Sequence, residues 1–418
     1  MSARAHPRPT PDIPLLLVTI MLLVLGVEMV YSASFVVAQS EYGDATYFLT
    51  KQVMWALVGA LLMAVAAAID YHRLEKLAVP MMVATVGAMV LVLVPGVGVG
   101  NYGATRWLKL GPLPLPPIQP SEFAKLALIV YMSAWLDKKG KRVSDLTYGF
   151  VPFALLLIAM TALIMAQPDM GTSFVVVATA ACLFFVAGAN LIHFMVAAAG
   201  GVVGFIYLIV HSGYRSDRLQ AFLNPWADPR DTGWHTIQTL IALGSGGITG
   251  LGLGASRQKF YYVPNAHTDA IFAIIGEELG LVGSAAVIIL FGLLAWRGFR
   301  IAFKAPDRFG RLLATGVTSM IVVQAVTNIA VVTNTIPYTG ITLPFISFGG
   351  SSLLVCMAGV GLLLGVSRHD RAAPTTGGER RDAVVKVFQR KPARARLAAS
   401  GVNLAPRRGS RSRRGYSP

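Results

Sequence analysis

The feature that most limits this chain is a series of apolar runs, each long enough to cross a lipid bilayer. A helix needs about 20 mostly apolar residues to span the hydrocarbon. Ten segments qualify: roughly 13–33, 52–69, 77–95, 121–136, 149–166, 173–189, 191–211, 267–296, 311–334 and 350–367. In lipid every backbone N–H and C=O needs an internal partner, so such runs fold as helices. The expected fold is an all-α polytopic membrane protein with ten transmembrane helices. A large extracytoplasmic loop, 212–266, separates the seventh and eighth. With 55% hydrophobic and only 13% charged residues, the composition excludes an ordinary soluble domain. Arg4 and Arg8 before the first run also fit a secretory signal, but a retained span keeps the charge pattern intact.

That pattern sets orientation. Lys138, Lys139, Lys141 and Arg142 crowd the 137–148 connection, and Arg297, Arg300, Lys304, Arg308 and Arg311 crowd 297–311. The positive-inside rule then places both termini in the cytoplasm. Residues 1–12 form a short cytoplasmic start, 13–367 the membrane domain, and 368–418 a basic tail rich in Arg, Pro, Gly and Ser. The tail has little to bury, so it reads as disordered and drawn to anionic membrane lipids. No recognition motif accompanies its charge, so nucleic acid is not an expected partner. Cys182 and Cys356 sit inside apolar runs, and no metal-ligand spacing of Cys and His occurs.

Polar residues within the spans are then conspicuous. A charge at the bilayer centre costs ~2.5 kcal/mol or more, so it needs a task or a partner. The stretch PNAHTDAIFAIIGEELGLVG (264–283) places His267, Asp269, Glu277 and Glu278 at the head of span eight. Span four opens with IQPSEFAK, span six with QPDMGTS and span ten with FISFGGSS. All four even-numbered spans begin on the outer face, where free helix N–H groups favour anions. Ser121, Asp169, Asn265 and Thr268 are equally good helix caps. Glu122 and Lys125, three apart, can pair. Glu277 and Glu278 lie about 12–13 Å deeper than Asp269 on a continuous helix. Their expected partners are basic residues of the cytoplasmic half, or Gln324 and Asn328. Those two share a face of span nine and read first as interhelical ties.

Two outer loops carry cations. Arg106, Trp107 and Lys109 lie in a Pro/Gly-rich loop, with Trp107 an interface anchor and the cations suited to phosphate. The 212–266 loop supplies Arg215, Arg218, Arg230, Arg257 and Lys259. Its run WHTIQTLIALGSGGITGLG is too short to span and reads as an interfacial or re-entrant helix. The glycines follow no strand of a βαβ unit, which rules against a dinucleotide or P-loop site. One or two carboxylates, several cations and several helix N-termini beside lipid suit an anionic, lipid-linked substrate.

The stretches GLGLGASRQKFYYVPNAHTDAIFAIIGEELGLVG, NTIPYTGITLPFISFGGSSLL, RWLKLGPLPLPPIQPSEFAKLALI and QPDMGTS resemble the signatures of the SEDS family (shape, elongation, division and sporulation). The resemblance covers about residues 15–367. GLGASRQK is more like the division branch, while IALGSGG leans toward the elongation branch. The resemblance implies a peptidoglycan glycosyltransferase of the bacterial cytoplasmic membrane, polymerising lipid II beside a class B penicillin-binding protein and division proteins. It implies Asp269 as the catalytic carboxylate. Candidate substrate-binding residues are Arg106, Trp107, Lys125, Asp169, Arg215, Arg218, Lys259 and His267. No cofactor is required by this chemistry, though Asp169 is placed either to orient the site or to hold a divalent cation. A lipid II flippase is the alternative, and a non-catalytic scaffold is the third reading.

Overall fold

A computed structural model describes residues 11–101, 104–109, 117–210 and 213–370. The chain forms α1 (Ile13–Tyr42), α2 (Tyr47–Ala68), α3 (His72–Val92), α4 (Pro120–Lys139), α5 (Val151–Ala166), α6 (Met170–Val186) and α7 (Leu191–Val210). Then follow α8 (Gly213–Leu223), α9 (Trp234–Ser245), α10 (Ile271–Lys304), α11 (Arg308–Val332) and α12 (Gly350–Asp370). It is a polytopic helical membrane protein. Among the described residues, seven helices are long and apolar enough to cross a bilayer: α1, α2, α3, Leu146–Ala166, α10, α11 and α12. The segment 146–166 joins a π turn to α5. Helices α4, α6 and α7 occupy the other three expected positions. Glu122, Lys125 and Asp137 dilute the apolarity of α4, and α6 has only 17 residues. Beyond Asp370 the basic tail lies outside the described residues.

Two features depart from the expected pattern of plain helices. Residues after α3 form a hairpin of β1 (Gly98–Asn101) and β2 (Ala104–Leu108), antiparallel with an irregularity between Val99 and Gly100. Here VGVGN alternates β-branched and small residues, and ATRWL contributes Thr105 and Trp107, residue types suited to a short ladder.

The second departure is in α10. This helix is broken at Gly280, whose φ of 65° and ψ of −161° are not helical. Two of its own bonds, 281 to 277 and 282 to 278, cannot form across the break. The chain leaving α9 replaces them. Leu281 N–H donates to Gly247 O (2.9 Å) and Val282 N–H to Ile248 O (3.1 Å). In return Leu251 N–H donates to Glu277 O and Gly252 N–H to Glu278 O, both 3.0 Å. Residues 247–252 are thus spliced into the hydrogen-bond ladder of a spanning helix, which satisfies the N–H groups of 281 and 282 and the carbonyls of 277 and 278. The run expected to form an interfacial or re-entrant helix is thus α9 followed by this strap.

Such an approach requires glycine. A Cβ on Gly250 would lie 2.1 Å from Glu278 O, and its φ is 81°. We expect Gly250→Ala to destabilise by at least ~1–3 kcal/mol through overpacking alone. Gly244→Ala, where a Cβ meets nothing within 4 Å, is the control. Thermal melting in detergent reads the difference; equal melting of the two variants would refute the splice.

Candidate active site

Residues 264–270 form turns ahead of α10, so Asp269 precedes the helix instead of opening it. Its side chain is only 7% exposed. Thr268 Oγ1 donates to one carboxylate oxygen at 3.1 Å, and the Tyr338 hydroxyl donates to the other. The backbone is fixed from below. Asn328 Nδ2, on α11, donates to the carbonyls of Asp269 and Ile341, each at 2.7 Å. One amide thereby ties the acid's loop to the 338–343 segment that carries Tyr338. Asn328→Ala leaves two buried carbonyls unpaired, at ~1–3 kcal/mol each. We expect that variant to melt earlier and to lose rate, whereas Thr333→Ala, at the exposed end of α11, does neither.

Around Tyr338 stand two residues of the 212–266 loop. Arg218 on α8 donates to Tyr338 O at 3.1 Å, with its guanidinium 4.9 Å from the ring centre. The His235 ring on α9 lies 4.4 Å from the Tyr338 ring. Burial drives the His235 imidazole below its usual range; the charge of Asp269 opposes that and Arg218 reinforces it. His267 packs on Phe48 at 4.4 Å, and burial pushes its imidazole down to about 4. It is therefore a neutral ring at physiological pH.

The tips of α4, α6 and α12 meet in a neighbouring cluster. Asp169 caps α6, accepting from Thr172 N–H at 3.0 Å, and takes Gln119 Nε2 at 2.9 Å. Gln119 N–H donates to Ser351 Oγ of α12 at 3.0 Å. Phe348 N–H donates to His267 O at 2.9 Å, which links this cluster to the loop of Asp269. Arg106 on β2 donates to Gln167 O at 3.1 Å and to Pro168 O, so it braces the α5–α6 turn. Trp107, also on β2, is half-buried. Arg215 lies on α8, and its side chain is outside the described residues. Among the described residues no three His, Cys, Asp or Glu side chains gather to hold a metal ion. Asp169 is engaged as a cap and by Gln119, so no step is derived through a cation.

Two expected cations have buried acid partners. Lys125 pairs with Glu122 at 2.8 Å, as their spacing implied, and donates to Gln324 Oε1 at 2.6 Å. Gln324 Nε2 donates onward to Thr342 O and Ser352 Oγ, both 3.0 Å, so it does act as an interhelical tie. Lys259 is 1% exposed and bonds Glu278 at 2.9 Å and Gly254 O at 2.7 Å. Ser32 of α1 donates to both Glu278 oxygens at 2.8 and 2.7 Å. Glu277 accepts from Ser256 Oγ and from Arg257 N–H at 2.9 Å. The expected partners of this acid pair therefore need correction. They are α1 and residues 256–259, not the cytoplasmic-half cations or Gln324 and Asn328. At the break, residues 251 and 252 bond the carbonyls of Glu277 and Glu278, and the chain continues from there to Ser256 and Lys259. Lys259, sequestered this way, is a structural cation of the same loop.

Sequence reasoning missed Tyr338 and His235. Tyr338 did lie in the NTIPYTGITLPF stretch, but nothing local ties it to an acid 69 residues away.

Fold and site together define a class: a polytopic helical membrane protein whose buried acid is held by loops that meet at one end of the bundle. A profile of the FtsW/RodA/SpoVE group of cell cycle proteins matches residues 13–372. The stage V sporulation protein E of Bacillus subtilis is 44% identical over 362 residues, 87% of this chain and 98% of its own length. A probable peptidoglycan glycosyltransferase FtsW of Trichlorobacter lovleyi is 44% identical over 366 residues, covering 88% and 95%. Among solved structures, a chain from a peptidoglycan synthase complex that coordinates polymerisation and crosslinking matches with TM-score 0.69 at 30% identity, over 87% of this chain and 99% of that one. Thermus thermophilus RodA, a rod shape determining protein, matches at 0.64 and 29%, over 86% and 97%. The chain belongs to the FtsW/RodA/SpoVE family.

Proposed function

We propose that this chain is a peptidoglycan glycosyltransferase that polymerises lipid II on the outer face of the bacterial cytoplasmic membrane during division. Ten spans with both termini cytoplasmic, and a class B penicillin-binding protein as partner, belong to the same reading. The observation that carries it is Asp269, a buried carboxylate oriented by Thr268 and Tyr338 with Arg218 just beyond. Relatives named as peptidoglycan glycosyltransferases support it.

Glycan extension joins the 4-hydroxyl of one sugar to the anomeric carbon of another. The hydroxyl must lose its proton as the C–O bond forms, and Asp269 is the base that takes it. The bond from the anomeric carbon to the lipid pyrophosphate breaks, and its electron pair leaves with the phosphate. That leaving group is already a stable anion, so it needs a cation rather than an acid. Arg218 is the best-placed candidate. A single displacement inverts the anomeric centre, from α-linked donor to β-linked product.

Purified protein with labelled lipid II tests this, with and without a penicillin-binding protein. Glycan polymer supports the enzyme. Lipid scrambling between leaflets without polymer would support a flippase, and neither, with partner binding intact, a scaffold.

A further inference from the structure

The turn joining α1 to α2 carries an aromatic array that the reaction as derived above does not use. Tyr42, the last residue of α1, and Tyr47, the first of α2, stack at 3.9 Å with 9° between planes. Lys51, one helical turn on, places its ammonium 3.9 Å from the centre of the Tyr47 ring and bonds its hydroxyl. Both tyrosines meet Phe48 edge to face, at 5.7 and 5.2 Å. Phe48 in turn packs on His267 at 4.4 Å and Phe348 at 5.1 Å. His267 is two residues from Asp269. The array therefore runs continuously from an open surface to the loop of Asp269.

Three properties point to a ligand of one chemistry. Tyr42 is 50% exposed while one face is covered by Tyr47, so its other face is open. The electron-rich face of an aromatic ring attracts the weakly positive C–H groups of a sugar ring. Lys51 makes no ion pair among the described residues. Asp44, the acid in this turn, is occupied by Thr46 N–H and Oγ1 at 2.8 and 2.7 Å. A cation beside stacked rings suits a phosphate joined to a saccharide.

We propose that Tyr42, Tyr47 and Lys51 form a headgroup subsite for a polyprenyl-pyrophosphoryl saccharide, with the sugar on Tyr42 and the pyrophosphate at Lys51. The proposal rests on the glycosyltransferase reading for its substrate class. The rigid pair of rings pre-organises the platform, and the Phe48–His267 contact sets its distance from Asp269.

The test is direct binding in detergent, in an Asp269→Asn background so that no turnover intervenes. The probes are polyprenyl pyrophosphate alone and the same lipid bearing a disaccharide. The expected result is tighter binding of the saccharide lipid. Tyr42→Leu, which keeps an apolar membrane anchor but removes the ring, should erase that preference, about 5-fold. It should leave the bare lipid unaffected, and Tyr42→Phe should retain the preference. Lys51→Met should weaken both probes. If Tyr42→Leu keeps the preference, the rings are only an interfacial anchor and the proposal falls; it falls equally if Lys51→Met weakens neither probe. If the preference appears in this background but the parent protein with Asp269 intact forms no polymer beside a penicillin-binding protein, the enzymatic reading falls and the subsite stands.

Discussion

Asp269→Asn is expected to cut glycan polymerisation by roughly 100- to 10,000-fold, the usual contribution of a positioned general base. Asparagine has the same shape and keeps an oxygen to accept from Tyr338 or Thr268, which now hold the carboxylate. The tie from Asn328 reaches the backbone carbonyl of residue 269, and no side-chain change removes it. Melting should therefore stay near that of the parent while the rate collapses. Asp370→Ala, at the end of α12, is the matched loss of a carboxylate elsewhere and should polymerise normally. A gel of labelled lipid II products, beside melting curves, separates the cases. Near-normal polymer from the Asp269→Asn protein would remove the base and with it the mechanism.

Lys259→Met should have the largest effect on stability. Lys259 and Glu278 both have fully buried side chains, and their pair spans the loop before Asp269 and the broken helix. Removing the ammonium leaves a buried carboxylate with, among the described residues, only Ser32 Oγ and Ser256 N–H as donors. Breaking one side of such a pair costs ~3–5 kcal/mol. Lys259→Met with Glu278→Gln should recover much of that, because glutamine carries no charge to strand and can still bond Ser32. Recovery in the double variant is the decisive reading, since pairs in contact are not additive. If the double variant is as unstable as the sum of the singles, the charges do not interact. Polymerisation should follow stability here, because residues 256–259 lead directly into the turns that carry Asp269.

These variants also show where sequence reasoning reached its limit. The Glu122–Lys125 pair, Asp169 as a cap and Gln324 as a tie were legible, because spacing along one helix or one helix end decides them; the role of Asp269 came only from the family resemblance. The partners of Glu277 and Glu278 were not. Position along the helix gives no sign that residues 247–252 complete its ladder at Gly280 and bring Ser256 and Lys259 alongside both acids. Lys259 was a substrate-binding candidate as a cation of the 212–266 loop; here Glu278 and the Gly254 carbonyl hold it inside. Tyr338 and His235 carry no local mark, since their meeting with Asp269 and Arg218 depends on four separate elements.

The chain alone determined the membrane class and the approximate place of the long apolar helices. A spanning helix satisfies its own backbone within one contiguous apolar run, so the information is local. Only the tertiary structure decided which helix is interrupted and which charges are buried together. It also decided which tyrosine faces the acid. Those outcomes depend on backbone groups and side chains far apart in sequence exchanging partners, and hydropathy along a single segment carries no record of that exchange.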